Sequence, residues 1–240
     1  MPSESDIAGL DRLFTNIEYS QYTVQVGAFS VDVLYSNAAC TDHDLTGQIP
    51  WPGATILSHF IISEQGQALL KGKSVMELGS GVGICGLLAS QLCQDVVLTD
   101  HNELVVDLLN QNVQLNPPSE ESAHTKTLAT VCYEWGAPWP HSHQQLKPEE
   151  GFDVILGSDI IYSCSTVPLI MKSVSSLLKK SGAFVLAYIS RWKVVDDALK
   201  SELDSYKERG WRVESLDVHS LICEAKVPPH GFLYLVRPPD

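Results

Sequence analysis

The chain has 240 residues, of which 44% are hydrophobic, so it is long enough for one large core and short for two domains of typical size. Its formal net charge of -13 at pH 7 disfavours nonspecific nucleic-acid binding, which depends on lysine and arginine neutralising phosphates. We therefore expect no nucleic-acid partner, and the charge serves either solubility or the attraction of a basic protein segment.

The sequence also disfavours membrane insertion and metal binding. No apolar run approaches the roughly 20 residues of a membrane span, and residues 1–6 lack the basic and apolar regions of a signal peptide. The six cysteines form no CxxC pair, and the eight histidines form no HExxH motif. We expect reduced, buried cysteines, no metal and no membrane contact in a monomeric cytoplasmic protein, with the nucleus as an open second location.

Two elements are predicted before residue 73. Residues 22–35 alternate apolar and polar residues on both sides of Gly27-Ala28, which is typical of a β-hairpin. Residues 49–63 begin with prolines and continue as a helix, whose apolar stripe is formed by Ile56, Leu57, Phe60 and Ile61. We interpret residues 1–72 as an extension packed on a core of residues 73–240, the two forming one structural domain.

Strand and helix patterns alternate along the core, which predicts an α/β fold with a Rossmann-like, seven-stranded, mostly parallel twisted sheet and helices on both faces. The strands are predicted near 74–78, 95–99, 127–132, 153–157, 183–189, 211–217 and 231–236. The helices are predicted near 83–93, 103–114, 166–179 and 194–208. We expect Gly182 to help end the helix at 166–179, and residues 136–151 to form a long loop.

The first predicted strand ends in Glu77 and continues into a glycine-rich turn, where bare backbone can approach a ligand closely. The turn contains Gly79, Gly81 and Gly83. Because the spacing up to Gly86 also fits the dinucleotide fingerprint, with Asp100 about 20 residues further on, the glycines leave open a nicotinamide cofactor or S-adenosylmethionine. Glu77 favours the second, since a carboxylate suits a ligand ammonium and would repel a pyrophosphate.

Four candidate positions follow the carboxyl ends of predicted parallel strands, which meet at one edge of the sheet. They are Glu77, Asp100, Trp135 and the segment Ser158–Tyr162. We expect Asp100 to accept hydrogen bonds from a ribose diol, or else to cap the helix that begins near Asn102.

The last two candidate positions concern the base and the transferred group. Trp135 is expected beside an adenine ring with the Gly136 amide close to a ring nitrogen, or else within the core. Asp159 and Tyr162 should face the transferred methyl group, where the carboxylate would orient a substrate ammonium and the tyrosine would guide it. For Asp159 the alternative interpretation is a helix cap.

Together these motifs resemble the seven-strand S-adenosylmethionine-dependent methyltransferases and, among them, the family 16 group of protein-lysine methyltransferases. The resemblance covers residues 25–236. It rests on Trp51-Pro-Gly-Ala, on Glu77-Leu-Gly-Ser-Gly-Val-Gly83 with Thr99-Asp100 after it, and on Trp135-Gly136 followed by Ser158-Asp159-Ile-Ile-Tyr162. It also implies that the last strand lies antiparallel beside the fifth.

The resemblance implies S-adenosyl-L-methionine as the cofactor and S-adenosyl-L-homocysteine as the product. The predicted cofactor-binding residues are Trp51, Glu77, Gly79, Ser80, Gly81, Gly83, Asp100, Trp135 and Ser158. The predicted catalytic residues are Asp159 and Tyr162.

These features favour a methyltransferase that acts on lysine in a protein partner presenting a basic segment. Three other functions remain open at this point. The chain could methylate nitrogen or oxygen of a small molecule, it could bind the cofactor as a partner protein without catalysis, or it could be a nicotinamide oxidoreductase.

Overall fold

The computed structural model describes residues 19–36, 43–117, 127–222 and 228–239. The chain begins there with a hairpin of β1 (Tyr19–Val26) and β2 (Phe29–Ser36), joined at Gly27-Ala28. Gly27 has a φ of +58°, which suits the tight turn. The predicted hairpin is confirmed and is a few residues longer than expected.

The remaining strands form one seven-stranded sheet in the order β5-β4-β3-β6-β7-β9-β8. They are β3 (Ser74–Leu78), β4 (Asp95–Asp100), β5 (Thr127–Cys132), β6 (Phe152–Ser158), β7 (Leu178–Ile189), β8 (Arg212–Leu216) and β9 (Gly231–Arg237). The pairs from β5 to β7 are parallel, whereas β9 lies antiparallel between β7 and β8. The predicted fold class and the antiparallel last strand are therefore confirmed.

Seven helices are present in the described ranges, with two 3-10 turns at His43–Gln48 and His141–Leu146. The helices are α1 (Gly53–Ile62), α2 (Glu64–Leu70), α3 (Ile84–Ser90), α4 (Glu103–Leu115), α5 (Thr166–Leu177), α6 (Lys193–Glu208) and α7 (Val218–Leu221). The whole predicted stripe of α1 is buried. This stripe packs in one core with α3 and the hairpin, while α5 and α6 form a second core on the other face of the sheet.

Successive side chains along each strand point to opposite faces of the sheet, and this alternation separates the two cores. Val75 and Met76 are neighbours in β3, and their side chains belong to opposite cores. Both faces of the sheet are therefore covered, and polar groups concentrate at the ends of the strands.

One prediction about α5 is wrong. The helix ends at Leu177 and the chain passes directly into β7, so Gly182 lies inside a strand and does not end the helix. Glycine is needed there for close packing, because a Cβ atom on residue 182 would lie 2.8 Å from the Asp153 carbonyl oxygen.

Two asparagines fix the hairpin to the core, one within α4 and one directly after it. Asn112 is fully buried and bonds both backbone groups of Leu34 in β2, at 2.7 and 3.1 Å. Its amide also donates to the Val82 carbonyl at 2.9 Å, within the glycine-rich turn. Asn116 bonds the backbone of Asp32 in the same way. At Asp32 and Leu34 these side chains therefore take the place of a neighbouring strand along the outer edge of β2. The interpretation of residues 1–72 as an extension packed on a core of residues 73–240 stays a prediction.

The described ranges contain no helix that is long and apolar enough to cross a bilayer. Within the same ranges, no group of histidine, cysteine, aspartate and glutamate could hold a metal ion. Cys85 and Cys93 are free and buried, as expected. Cys132 and Cys164 are free but exposed, contrary to the expectation of burial, whereas Cys40 and Cys223 lie outside the described residues.

Candidate functional site

A cavity of about 230 Å³ opens at the carboxyl ends of β3, β4 and β6, beside the point where the strand order reverses. Ten of the eleven predicted site residues line it. They are Trp51, Glu77, Gly79, Ser80, Gly81, Asp100, Trp135, Ser158, Asp159 and Tyr162. The exception is Gly83, where a Cβ atom would lie 2.5 Å from Leu109, so this glycine serves the packing of the turn.

Glu77 lies at the bottom of the cavity and is 1% exposed. Its Oε2 atom accepts a hydrogen bond of 3.0 Å from the Gly86 amide in α3. Burial raises the pKa of its carboxyl to about 8, and the charge of Asp100 acts in the same direction, against hydrogen bonds from Ser80 and Gly86. A nearby cation would lower this pKa, so the site is suited to a positively charged ligand group.

The glycine-rich turn is held to β4 by a small hydrogen-bond network. The Ser80 amide donates to the Thr99 carbonyl at 2.7 Å, and the Thr99 amide donates back to Ser80 Oγ at 3.0 Å. Gly79 has a φ of +60°, and a Cβ atom there would lie 2.9 Å from the Trp135 ring. The turn therefore presents bare backbone to the cavity in a fixed conformation.

Asp100 ends β4 and points into the cavity. Its Oδ2 atom accepts from the Gly81 amide at 3.2 Å, and its Oδ1 atom accepts from the His101 amide at 2.8 Å. Helix α4 is capped by Asn102, whose side chain accepts from two backbone amides of the first turn. The alternative of a helix cap at Asp100 is therefore not needed. The Oδ1 atom of Asp100 also accepts from the Asn102 amide at 3.3 Å, so the position left for another donor is on Oδ2.

Trp135 forms a wall of the cavity, and its ring centroid lies 5.9 Å from that of Tyr162. The expectation for Gly136 is wrong. Its amide donates to Ser173 Oγ in α5 at 2.7 Å, so it is already used within the protein. This bond, together with the bond between Tyr133 and Ser173, fixes the loop that carries Trp135.

Asp159 lies at the other end of the cavity, with its side chain 1% exposed. Its carboxylate accepts hydrogen bonds from the amides of Gly53 and Ile189, at 2.6 and 2.9 Å. It also accepts two bonds of 3.2 Å from the guanidinium of Arg191, one to each oxygen. The structure thus surrounds this carboxylate with protein donors, where the sequence analysis expects a substrate amine.

Sequence analysis missed several lining residues. Arg191 and Trp192 follow β7, and the segment from Thr46 to Pro50 closes one side. Arg191 and Trp192 could have been predicted from the sequence, because they follow the carboxyl end of a parallel strand. Such ends lie at the same edge of the sheet as the other predicted site residues. No motif marked the segment from Thr46 to Pro50, which reaches the site only through tertiary packing.

Comparison with known proteins agrees with this geometry. The profile of a methyltransferase family described as lysine methyltransferase matches residues 37–203. The protein N-lysine methyltransferase METTL21A of Danio rerio is 34% identical over 129 residues, which are 54% of this chain and 54% of that protein. METTL21A of Mus musculus is 30% identical over 145 residues, 60% of this chain and 62% of that protein. The histone-arginine methyltransferase METTL23 of Mus musculus is 28% identical over 142 residues, which are 58% of this chain and 51% of that protein.

The chain therefore spans between about half and two thirds of the length of the curated relatives it matches. Among solved structures, the T. thermophilus 16S rRNA N2 G1207 methyltransferase aligns with a TM-score of 0.59 at 12% identity. That alignment covers 92% of this chain and 50% of the other. The ribosomal protein L11 methylase of Lactobacillus delbrueckii subsp. bulgaricus aligns with a TM-score of 0.51 at 13% identity, covering 78% of both chains. At these identities the structures show a shared fold only.

The family match includes the glycine-rich turn, Asp100, Trp135 and the Asp159–Tyr162 segment, which are the elements that line the cavity. Family membership also settles the choice that the glycine spacing left open, in favour of S-adenosylmethionine. The chain belongs to the lysine methyltransferase family of S-adenosylmethionine-dependent enzymes.

Proposed function

We propose that this protein is an S-adenosylmethionine-dependent methyltransferase that methylates lysine side chains in a protein substrate. One observation carries the proposal. A buried carboxylate, a glycine-rich turn and a second carboxylate line one cavity, and exposed aromatic rings border the same cavity.

The cavity residues fit the charge pattern of the cofactor. Glu77 offers a desolvated carboxylate to the ammonium of the aminoacyl end, while Oδ2 of Asp100 offers an acceptor to the ribose diol. Trp135 supplies a flat apolar surface for the adenine base. Gly79 and Gly81 allow the chain to approach the ligand closely between these points.

The cofactor supplies a methyl group bonded to a positively charged sulfur. When the methyl group is transferred, the sulfur is the leaving group, and it departs as a neutral thioether without needing a proton. The chain's own residues then have to position the acceptor and favour its neutral form. At pH 7, a lysine with a pKa of about 10.4 costs roughly 4 to 5 kcal/mol to deprotonate if nothing assists. The positive charge of the adjacent sulfur and desolvation of the amine within the cavity would both lower that pKa.

The surroundings of the cavity favour a cationic side chain. Trp192, Tyr162 and Trp51 are 58%, 44% and 37% exposed, and all three line the cavity. Aromatic faces attract an ammonium group, and the net charge of -13 favours a partner that presents a basic segment. A monomeric state and a cytoplasmic location, also open to the nucleus, stay predictions.

A second candidate is methylation of nitrogen or oxygen in a small molecule. It is favoured by the segment from Thr46 to Trp51, which closes one side of the cavity and would limit access by a folded partner. A catalytically inactive protein that binds the cofactor within a complex is a third candidate.

Incubation with radiolabelled S-adenosylmethionine and cell lysate separates these candidates. Label on protein, mapped to lysine by mass spectrometry and absent with Glu77→Gln, is the result expected for the proposed function. Label confined to small metabolites would support the second candidate. Cofactor binding in calorimetry with no label on any acceptor would support the third.

A further inference from the structure

The carboxylate of Asp159 has no free acceptor position for a substrate. A carboxylate offers about four lone-pair sites, and four protein N–H groups occupy them. The backbone of Asp159 has a φ of +53°, a conformation that aspartate adopts more readily than most residues, and its amide donates to the Ala187 carbonyl at 2.9 Å. This side chain is therefore held within the protein.

The donors to Asp159 come from separate parts of the fold. Gly53 is the first residue of α1, Ile189 is the last residue of β7, and Arg191 follows β7 by two positions. A Cβ atom on Gly53 would lie 2.7 Å from the Asp159 carboxyl carbon, so the carboxylate packs directly against the beginning of α1. A negative charge is stabilised at that end of a helix.

Arg191 extends the same network to Trp51. Its guanidinium carbon lies 5.0 Å from the centroid of the Trp51 ring, which is the arrangement of a cation–π contact. The Trp51 indole N–H donates to the Thr46 carbonyl at 2.9 Å. The segment 46–54 is thus fixed by an internal bond, by stacking under Arg191, and by the bond from Gly53 to Asp159.

Segment 46–54 forms one wall of the cavity. Its lining residues are Thr46, Gly47, Ile49, Pro50, Trp51 and Ala54. The Gly47 carbonyl also lies against the glycine-rich turn, since a Cβ atom on Gly81 would be 2.9 Å from its oxygen. Movement of this segment would therefore open the cavity on the side that faces the glycine-rich turn.

We propose that Asp159 and Arg191 form a latch that holds segment 46–54 in place as a wall of the cofactor pocket. In this role both are positioning residues, and Asp159 does not contact the substrate amine. The inference rests on the proposed function only in the identity of the ligand, S-adenosylmethionine or its product.

The test compares Arg191→Met with Lys193→Met in the full chain. Lys193 is an exposed cation two positions away that pairs with Asp197, so its replacement makes the same charge change outside the latch. Hydrogen exchange of segment 46–54 in the ligand-free protein should accelerate about tenfold in Arg191→Met, while exchange of the hairpin stays unchanged. The dissociation constant for S-adenosylhomocysteine should rise by a similar factor. Lys193→Met should match the wild type in both measurements.

Three further variants keep the test independent of misfolding. Arg191→Lys retains the charge and should recover part of the protection of segment 46–54. Asp159→Asn should give the same pattern as Arg191→Met, and the double variant should lose little more than either single one, because both remove one interaction.

Several outcomes would overturn the latch. The latch is ruled out if the amides of segment 46–54 exchange at the wild-type rate in Arg191→Met. It is also ruled out if Asp159→Asn binds S-adenosylhomocysteine normally but transfers no methyl group. The second outcome would return Asp159 to the substrate. If the wild type binds neither form of the cofactor, the proposed function fails, while hydrogen exchange still decides the latch.

Discussion

The two ends of the cavity are built in different ways. The Glu77 end comes from one continuous stretch, in which β3, the glycine-rich turn and α3 place their groups within nine residues of each other. At the Asp159 end, Gly53 and Asp159 are 106 positions apart, and Arg191 lies a further 32 positions along the chain. The first end holds a carboxylate with a single backbone donor from α3, ready for a ligand cation. The second holds a carboxylate that the protein has already neutralised.

This contrast teaches that two buried acids in one pocket can have opposite tasks. An acid with few partners is costly to ionise and gains most from a bound cation, whereas a fully bonded acid stabilises the fold around it. Substitutions at the two ends should therefore differ in the size of their effect on cofactor affinity and in the sign of their effect on the stability of the ligand-free protein.

Glu77→Gln should have the largest effect. We expect the dissociation constant for S-adenosylmethionine to rise by about 100-fold, because a buried ion pair with the ligand ammonium is lost. The same change should stabilise the ligand-free protein at pH 7. Since the pKa of Glu77 is raised from 4.5 to about 8 in the folded state, the wild type loses stability as pH rises from 4.5 through 8.

Calorimetry and urea unfolding at pH 5, 7 and 8.5 measure both effects. The difference in the free energy of unfolding between Glu77→Gln and the wild type should widen as pH rises. Glu208→Gln, at the exposed end of α6, is the matched control and should change neither affinity nor stability. Weaker stability of Glu77→Gln at pH 8.5 would show that Glu77 is not desolvated as the structure indicates.

The same contrast explains what the sequence could predict. The strand, turn and Asp100 were predictable because each lies at the end of a contiguous apolar pattern, and parallel strands bring such ends together. The partners of Asp159 were not, because Arg191 is an isolated charge in a loop and Gly53 contributes only a backbone amide. The hydrogen bond of the Gly136 amide is not predictable from the sequence, because its acceptor Ser173 lies 37 positions away in α5.

Asp100→Asn should weaken the binding of S-adenosylmethionine by about 30-fold, which is the scale of a hydrogen bond to a charged acceptor. Both oxygens of Asp100 accept from backbone amides, so replacing one with an amino group leaves too few acceptors for the backbone and the diol together. The midpoint of thermal unfolding should fall by only about 2 to 4 °C, the scale of one lost backbone hydrogen bond, because Asn102 still caps α4. Asp95→Asn, at the opposite end of β4, is the control. An equal loss of affinity in both variants would remove the specific role of Asp100.

Cofactor binding should release a proton from Glu77. With a pKa of about 8, this carboxyl is protonated in most ligand-free molecules at pH 7, and pairing with a cation ionises it. We expect release of up to one proton for each cofactor bound at pH 7, and an affinity that rises with pH up to about 8, approaching tenfold per unit well below that pH. Calorimetry in buffers of different ionisation enthalpy measures the number directly. Release that persists in Glu77→Gln would assign the proton to another group.

Tyr162→Phe should have the smallest effect, because Tyr162 offers the acceptor an aromatic face. Burial raises the pKa of its hydroxyl, and the charge of Asp100 acts in the same direction, so this group stays neutral at pH 7 and is unsuited to act as a base. Phenylalanine keeps the ring beside Trp135, and we expect turnover within about threefold of the wild type. Tyr162→Ala should lose about tenfold, which lies between the scales of an exposed and a desolvated cation–π contact. Turnover on labelled protein at several pH values tests this, since a tenfold loss or an altered pH profile in Tyr162→Phe would mean that the hydroxyl guides the acceptor.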